Sequence, residues 1–126
     1  MANLPDDLRY AVSHEWVRLN GDIATIGITD FAQSELGDVV YVDLPTQGRI
    51  LKSGESFGSV ESVKTVSDVY APISGEVVEA NSALGSQSEL INEDPYDKGW
   101  MIKIRVETPA ELEGMLDSTA YAASIG

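Results

Sequence analysis

One lysine stands at the centre of VESVKTVSDV, residues 60–69, a stretch that reads almost alike in both directions about Lys64 and Thr65. Val63 mirrors Val66, Ser62 mirrors Ser67, Glu61 is matched in charge by Asp68, and Val60 mirrors Val69. A free ammonium with a pKa of ~10.4 is a poor nucleophile near neutrality, and an exposed turn offers no burial to lower it, so direct catalysis by Lys64 is disfavoured. Two readings of the position stand: a solvated turn residue, or an accessible point where a modifying enzyme attaches an acyl group to a long flexible stem. Other reactive candidates are few. The chain has no cysteine, which excludes a disulfide framework, a thiol nucleophile and a zinc–thiolate site, so any sulfur chemistry must arrive with a cofactor. His14 is the only histidine and adjoins Glu15. Neighbouring strand residues point to opposite faces, so the two are not expected to orient each other as an acid–base pair, and His14 is assigned to packing or hydrogen bonding near the hairpin. Glu93, Asp94 and Asp97 lack the spacing of a calcium loop and read as an ordinary acidic loop.

The elements that must position these residues read mostly as strands. With Lys64 and Thr65 as a two-residue turn, Val63 pairs with Val66, Ser62 with Ser67, Glu61 with Asp68 and Val60 with Val69, and Gly54 and Gly75 close the hairpin at its outer ends. Two features of that hairpin work against it: tight turns need positive φ, which β-branched Thr65 tolerates poorly, and two carboxylates facing across the strands repel. In GDIATIGIT, Ala24, Ile26 and Ile28 alternate with polar or small residues, and DVVYVDLP alternates through Val40, Val42 and Leu44. Between them DFAQSELG predicts one or two turns of helix, with Asp30 as cap, Gln33 at the third position and Gly37 as the stop. GEVVEA and GWMIKIRVE predict two more strands, the second placing Trp100, Ile102, Ile104 and Val106 on one face. Trp16 and Trp100 read as core or cleft-wall aromatics. TPAELEGMLDS predicts a C-terminal helix at about 108–119, with Thr108 as cap, Glu111 completing a capping box, and Leu112, Met115 and Leu116 as its apolar stripe. GSQSELINEDPYDKG is the best loop candidate.

Composition narrows the partners. The 126 residues, 43% hydrophobic, suffice for one core, and we expect a single globular unit over 1–126. Eight Lys and Arg against 21 Asp and Glu give a formal charge of -13, which repels nucleic acid and anionic membranes and favours, if anything, partners with basic patches. MANLPDDLRY lacks the pattern of a signal or transit peptide, and no stretch approaches the roughly 20 apolar residues that span a bilayer. The expected location is the cytoplasm, or the mitochondrial matrix if a presequence has been removed.

The frame Gly54, Glu61, Lys64 and Gly75 resembles the biotinyl and lipoyl carrier domains, which display a modified lysine at a hairpin tip. Biotin carriers flank that lysine with methionines, where this chain has Val63 and Thr65. SHEWV (13–17), GITDFAQSELGDVVYVDLP (27–45), ESVKTVSDVYAPISGEV (61–77) and DPYDKGWMIKI (94–104) together resemble the H proteins of the glycine cleavage system over nearly the whole chain. Thr65 replaces the alanine often found after the lysine in that family. The fold so implied is mainly β, a barrel-sandwich hybrid of two antiparallel sheets with short helices and a C-terminal helix. The resemblance implies a monomeric carrier with no catalytic cycle of its own, bearing lipoate on Lys64, with Glu61, Val63 and Thr65 as the frame read by a lipoate ligase or lipoyltransferase. Its implied partners are the pyridoxal-phosphate enzyme glycine decarboxylase, which loads an aminomethyl group, the tetrahydrofolate-dependent aminomethyltransferase, which removes it, and dihydrolipoyl dehydrogenase, which reoxidises the arm.

The amine on a loaded arm is lost to water unless it is sheltered, and a cleft bearing a carboxylate would stabilise it. The resemblance places that docking near Ser13, His14 and Glu15 and near Asp68; the alternatives are that Glu15 is a surface strand residue and that Asp68 only solubilises the hairpin. Two other classes stay open at this level: a lipoyl or biotinyl carrier serving another enzyme complex, and an unmodified β-rich interaction module.

Overall fold

The computed structural model describes residues 4–125; the first three residues of MANLPDDLRY and residue 126 lie outside the described part. Among the described residues nine strands form two antiparallel sheets. The larger runs β1 (Arg9–Tyr10), β2 (Glu15–Asn20), β3 (Ile23–Ile28), β9 (Ile102–Val106), β8 (Gly75–Ala80) and β5 (Ile50–Leu51) in that spatial order; the smaller runs β4 (Val39–Asp43), β6 (Ser56–Ser62) and β7 (Val66–Tyr70). The chain is therefore mainly β, as the alternation of apolar residues requires. Ala24, Ile26 and Ile28 of β3 and Ile102 and Ile104 of β9 point into the space between the sheets and meet Val42, Val60 and Val69 of the smaller sheet. A second apolar cluster lies to one side, where Trp16, Tyr10, Tyr96 and Tyr121 are buried together. Trp16 donates its indole N–H to the Pro95 carbonyl at 3.0 Å, which satisfies the polar end of a ring otherwise in the core. Trp100 packs on the margin of this second cluster, so it leaves the face shared by Ile102 and Ile104.

Several local expectations are corrected. Helix α1 (Asp30–Leu36) is capped by Thr29, whose hydroxyl accepts from the Ala32 N–H, while Asp30 takes the amide of Gln33 at 2.7 Å. Gly37 does end it, at φ 81. In β4 the apolar alternation breaks: a bulge between Val39 and Tyr41 buries Val39 and leaves Val40 exposed. The acidic loop contains one helical turn, α2 (Leu90–Glu93), and its Asn92 bonds Gln33, the Gly37 carbonyl and the Val39 N–H, fastening the end of α1 to the start of β4.

No continuous helix covers 108–119. Thr108 makes no capping bond, and the Glu111 carboxylate instead accepts from the Ser74 N–H at 2.6 Å and the Ser74 hydroxyl at 3.0 Å, leaving a 3₁₀ turn over Pro109–Gly114. Leu116 is extended and exchanges two 2.8 Å backbone bonds with Tyr10, extending the larger sheet beyond β1. Asp117 then starts α3 (Ser118–Ile125) by accepting from the Ala120 N–H. Among the described residues no helix is long and apolar enough to cross a membrane.

Candidate functional site

Lys64 is exposed at the end of the β6–β7 hairpin, but the turn differs from the symmetric one. Glu61 pairs with Val66, Val60 with Ser67 and Ser59 with Asp68, a slip of two residues from the mirrored register. The cause is Ser62. Its hydroxyl oxygen accepts from the Lys64 N–H at 3.3 Å and the Thr65 N–H at 3.2 Å, and its own N–H donates to the Thr65 carbonyl at 2.8 Å. A side-chain oxygen that takes over local backbone donors makes a four-residue turn without positive φ, so Thr65 is under no backbone strain. Val63 donates to the Asp38 carbonyl at 3.0 Å, tying the turn to the segment between α1 and β4. Glu61 and Asp68 are no longer directly opposed but diagonal across the strands, which weakens the expected repulsion.

The recognition-frame residues surround the lysine. Glu61 lies between Tyr41 of β4 and Val66 of β7 in one cross-strand row, and Tyr41, Val63, Thr65 and Val66 are all exposed. The outer glycines are fixed by different needs: Gly54 adopts φ +88, and a Cβ on Gly75 would come within 2.3 Å of the Arg105 carbonyl oxygen. The Lys64 stem passes over Gly37, where its Cε is 3.6 Å from the position a Cβ would take.

Beside the hairpin, between α1 and the β6–β7 strands, is a cavity of about 240 Å³. Ser13, His14 and Glu15 line one wall, Phe31, Glu35 and Leu36 of α1 a second, and Val60, Asp68 and Val69 a third. The structure thus brings together the three residues expected at 13–15 with Asp68. Glu15 is no surface residue: it is 1% exposed, accepts from the Ser13 hydroxyl and takes the Tyr70 N–H at 3.2 Å. Burial disfavours its charge and lifts its pKa from 4.5 to about 7, against the smaller opposing pull of those hydrogen bonds. Asp68 sits on an edge strand and borders the cavity as well as a polar depression on the outer face with Asp43 and Arg49.

His14 also corrects the expectation. It precedes β2 and has φ 78, so strand alternation does not apply and both His14 and Glu15 face the cavity. They still form no pair, because the His14 Nδ1 is engaged 2.8 Å from the Tyr121 hydroxyl while Glu15 is held by Ser13 and Tyr70. Burial lowers the His14 pKa, partly opposed by Glu35. The α1 wall is not among the site residues the sequence singles out, although Phe31 and Glu35, one helical turn apart, are its signal. Tyr121 gave none, since its role depends on a contact 107 residues away in sequence.

A two-sheet β sandwich that displays a lysine on a hairpin beside a cavity with a buried carboxylate has the form of a swinging-arm carrier, a class that moves a covalently held group between enzymes. Residues 8–126 match the family model described as glycine cleavage H-protein. The chain is 58% identical over 98% of its length to the glycine cleavage system H protein of Symbiobacterium thermophilum, covering 96% of that protein, and 50% identical to that of Bacteroides fragilis with 98% of each covered. The crystal structure of a glycine cleavage system H protein from Mycobacterium marinum superposes with a TM-score of 0.90 at 39% identity, covering 98% of this chain and 99% of that one. The chain belongs to the glycine cleavage H-protein family: it is a lipoyl-carrying shuttle and a non-catalytic component of the glycine cleavage multienzyme system.

Proposed function

We propose that Lys64 is the lipoyl attachment point, that Glu61, Val63 and Thr65 form the frame read by the lipoate ligase or lipoyltransferase, and that Ser13, Glu15 and Asp68 dock the loaded arm. The chain would then act as one carrier domain, visiting in turn glycine decarboxylase, the tetrahydrofolate-dependent aminomethyltransferase and dihydrolipoyl dehydrogenase. When bound, the lipoyl group supplies the redox-active sulfur pair that this cysteine-free chain lacks.

The observation that carries the reading is the cavity beside the lysine turn, in which apolar side chains from α1, β6 and β7 stand beside one buried carboxylate. Those walls suit an alkyl arm, and Glu15 suits an amine. Phe31, Leu36, Val60 and Val69 exclude water, and Glu15 accepts a charge-assisted hydrogen bond that water competes for poorly. A cation placed there returns Glu15 to its ionised form, because a nearby positive charge opposes the effect of burial. Asp68 and Glu35 add two further carboxylates at the cavity border. The Ser62 bonds hold the lysine turn open without a glycine, so Lys64 Nζ stays accessible to the acylating enzyme.

The test is acylation. After expression with lipoate and its ligase, intact mass shows a gain of one lipoyl group, and peptide mapping places it on Lys64. Addition on Lys52, Lys98 or Lys103, or no addition, removes the assignment. Docking is tested separately: Glu15→Gln combined with Asp68→Asn raises the rate at which the loaded arm loses its amine to water, and an unchanged rate refutes it.

A further inference from the structure

The conformation of Ser13, His14 and Glu15 needs a cause. Among the described residues His14 is the one non-glycine residue at positive φ, a region that histidine enters more readily than most but at a cost. Its backbone is held on both sides, with His14 N–H donating to the Ala11 carbonyl at 2.9 Å and the Thr29 N–H donating to the His14 carbonyl at 3.0 Å. Its side chain meets the Tyr121 hydroxyl at 2.8 Å, and that hydroxyl lies 2.8 Å from the Thr29 hydroxyl. Thr29 in turn caps α1. One oxygen, on the C-terminal helix, therefore touches the anchors of two cavity walls: the 13–15 segment and the helix bearing Phe31, Glu35 and Leu36.

The Ala32 N–H donates to Thr29 Oγ1, and the Thr29 hydroxyl, the Tyr121 hydroxyl and His14 Nδ1 then form a continuous chain of hydrogen bonds that can run in either direction, set by the His14 tautomer. Tyr121 is fully buried and stacked on Tyr10 with centroids 4.8 Å apart and planes at 12°, so its hydroxyl is held in place by packing. A ring needed only to fill that space would do so as Phe. The hydroxyl sits where it can fix the angle between the two walls.

We propose that Tyr121 is a positioning residue of the arm-docking cavity, its hydroxyl clamping His14 to the α1 cap and so presenting Ser13 and Glu15 to the docked amine. The inference rests on the docking reading above. It makes the C-terminal helix part of the carrier's working site, although none of that helix lines the cavity.

Tyr121→Phe keeps the stacked ring and removes the clamp. The loaded protein then loses its amine to water roughly three- to tenfold faster, the range that corresponds to one neutral hydrogen bond. Acylation of Lys64, which uses none of these groups, keeps its rate. In the unloaded protein the imidazole resonances of His14, the only histidine, move because the partner of Nδ1 is gone. Thr29→Val breaks the clamp at its other end, removing the α1 cap with it and leaving the His14–Tyr121 bond; amine loss moves in the same direction, which serves if Tyr121→Phe does not fold. Glu15→Gln run alongside separates the failures. If Glu15→Gln speeds amine loss while the clamp variants do not, the inference falls and docking stands; if none changes the rate, both fall. Faster loss in Tyr121→Phe with unmoved His14 resonances also overturns the clamp.

Discussion

Glu15 should destabilise the fold it occupies, and by an amount that can be worked out. Its folded pKa of about 7 lies above the ordinary 4.5, because a carboxylate that is 1% exposed gives up most of its hydration. A raised carboxylate pKa means that between those two values the folded chain holds more of this proton than the unfolded chain, so stability falls as pH rises through the interval. At ~1.4 kcal/mol per pH unit, the gap between 4.5 and about 7 amounts to about 3 kcal/mol, felt in full above pH 7 and absent below about pH 4.5. Glu15→Gln removes the titration and can keep both contacts, its oxygen accepting from Tyr70 N–H and its amide donating to the Ser13 hydroxyl. The variant should therefore match the wild type near pH 4.5 and exceed it by about 3 kcal/mol at pH 8, or roughly 10 °C in Tm for a chain of this size. Urea and thermal melts of the two proteins at matched pH values measure the difference directly. A stability difference that does not grow between pH 4.5 and pH 8 refutes the argument that a buried, ionisable carboxylate is kept at the cavity against the interest of the fold.

Two further substitutions probe how the lysine is presented. Ser62→Ala removes the acceptor for the Lys64 and Thr65 N–H groups, which should cost about 1 kcal/mol in a urea melt and raise the KM of the ligase for this protein; an unchanged KM would mean that the turn does not depend on that hydroxyl. Gly58→Ala places a Cβ 2.1 Å from the Asp43 carbonyl oxygen, so β4 must move from β6, with an expected loss of about 1–3 kcal/mol and faster amide exchange along β4.

The sheets were legible because their residues alternate; the hairpin register was legible only in part. Mirror symmetry about Lys64 and Thr65 predicts a two-residue turn, but the Ser62 hydroxyl and the pull of the Asp38 carbonyl on Val63 are tertiary facts that moved the pairing by two. A shift of two preserves which face each side chain takes, which is why Val60 and Val69 stayed in the core although they do not pair. The C-terminal segment misled for a similar reason: a capping box is a local pattern, and Ser74, 37 residues away, competes for Glu111. Ser13, Glu15 and Asp68 line the cavity, and it is family likeness, not periodicity, that points to them. The burial of Glu15 follows from His14 taking a left-handed conformation that strand periodicity does not anticipate.

The central claim is that lipoate on Lys64 makes this chain the shuttle of glycine cleavage. Glycine decarboxylation reconstituted with the pyridoxal-phosphate, folate and flavin enzymes measures it, with this protein supplied lipoylated, unlipoylated or as Lys64→Arg. NADH should form only with the lipoylated wild type, saturably in that protein. NADH formation with the unlipoylated chain or with Lys64→Arg, or none with chain confirmed by mass to carry the group on Lys64, would contradict it.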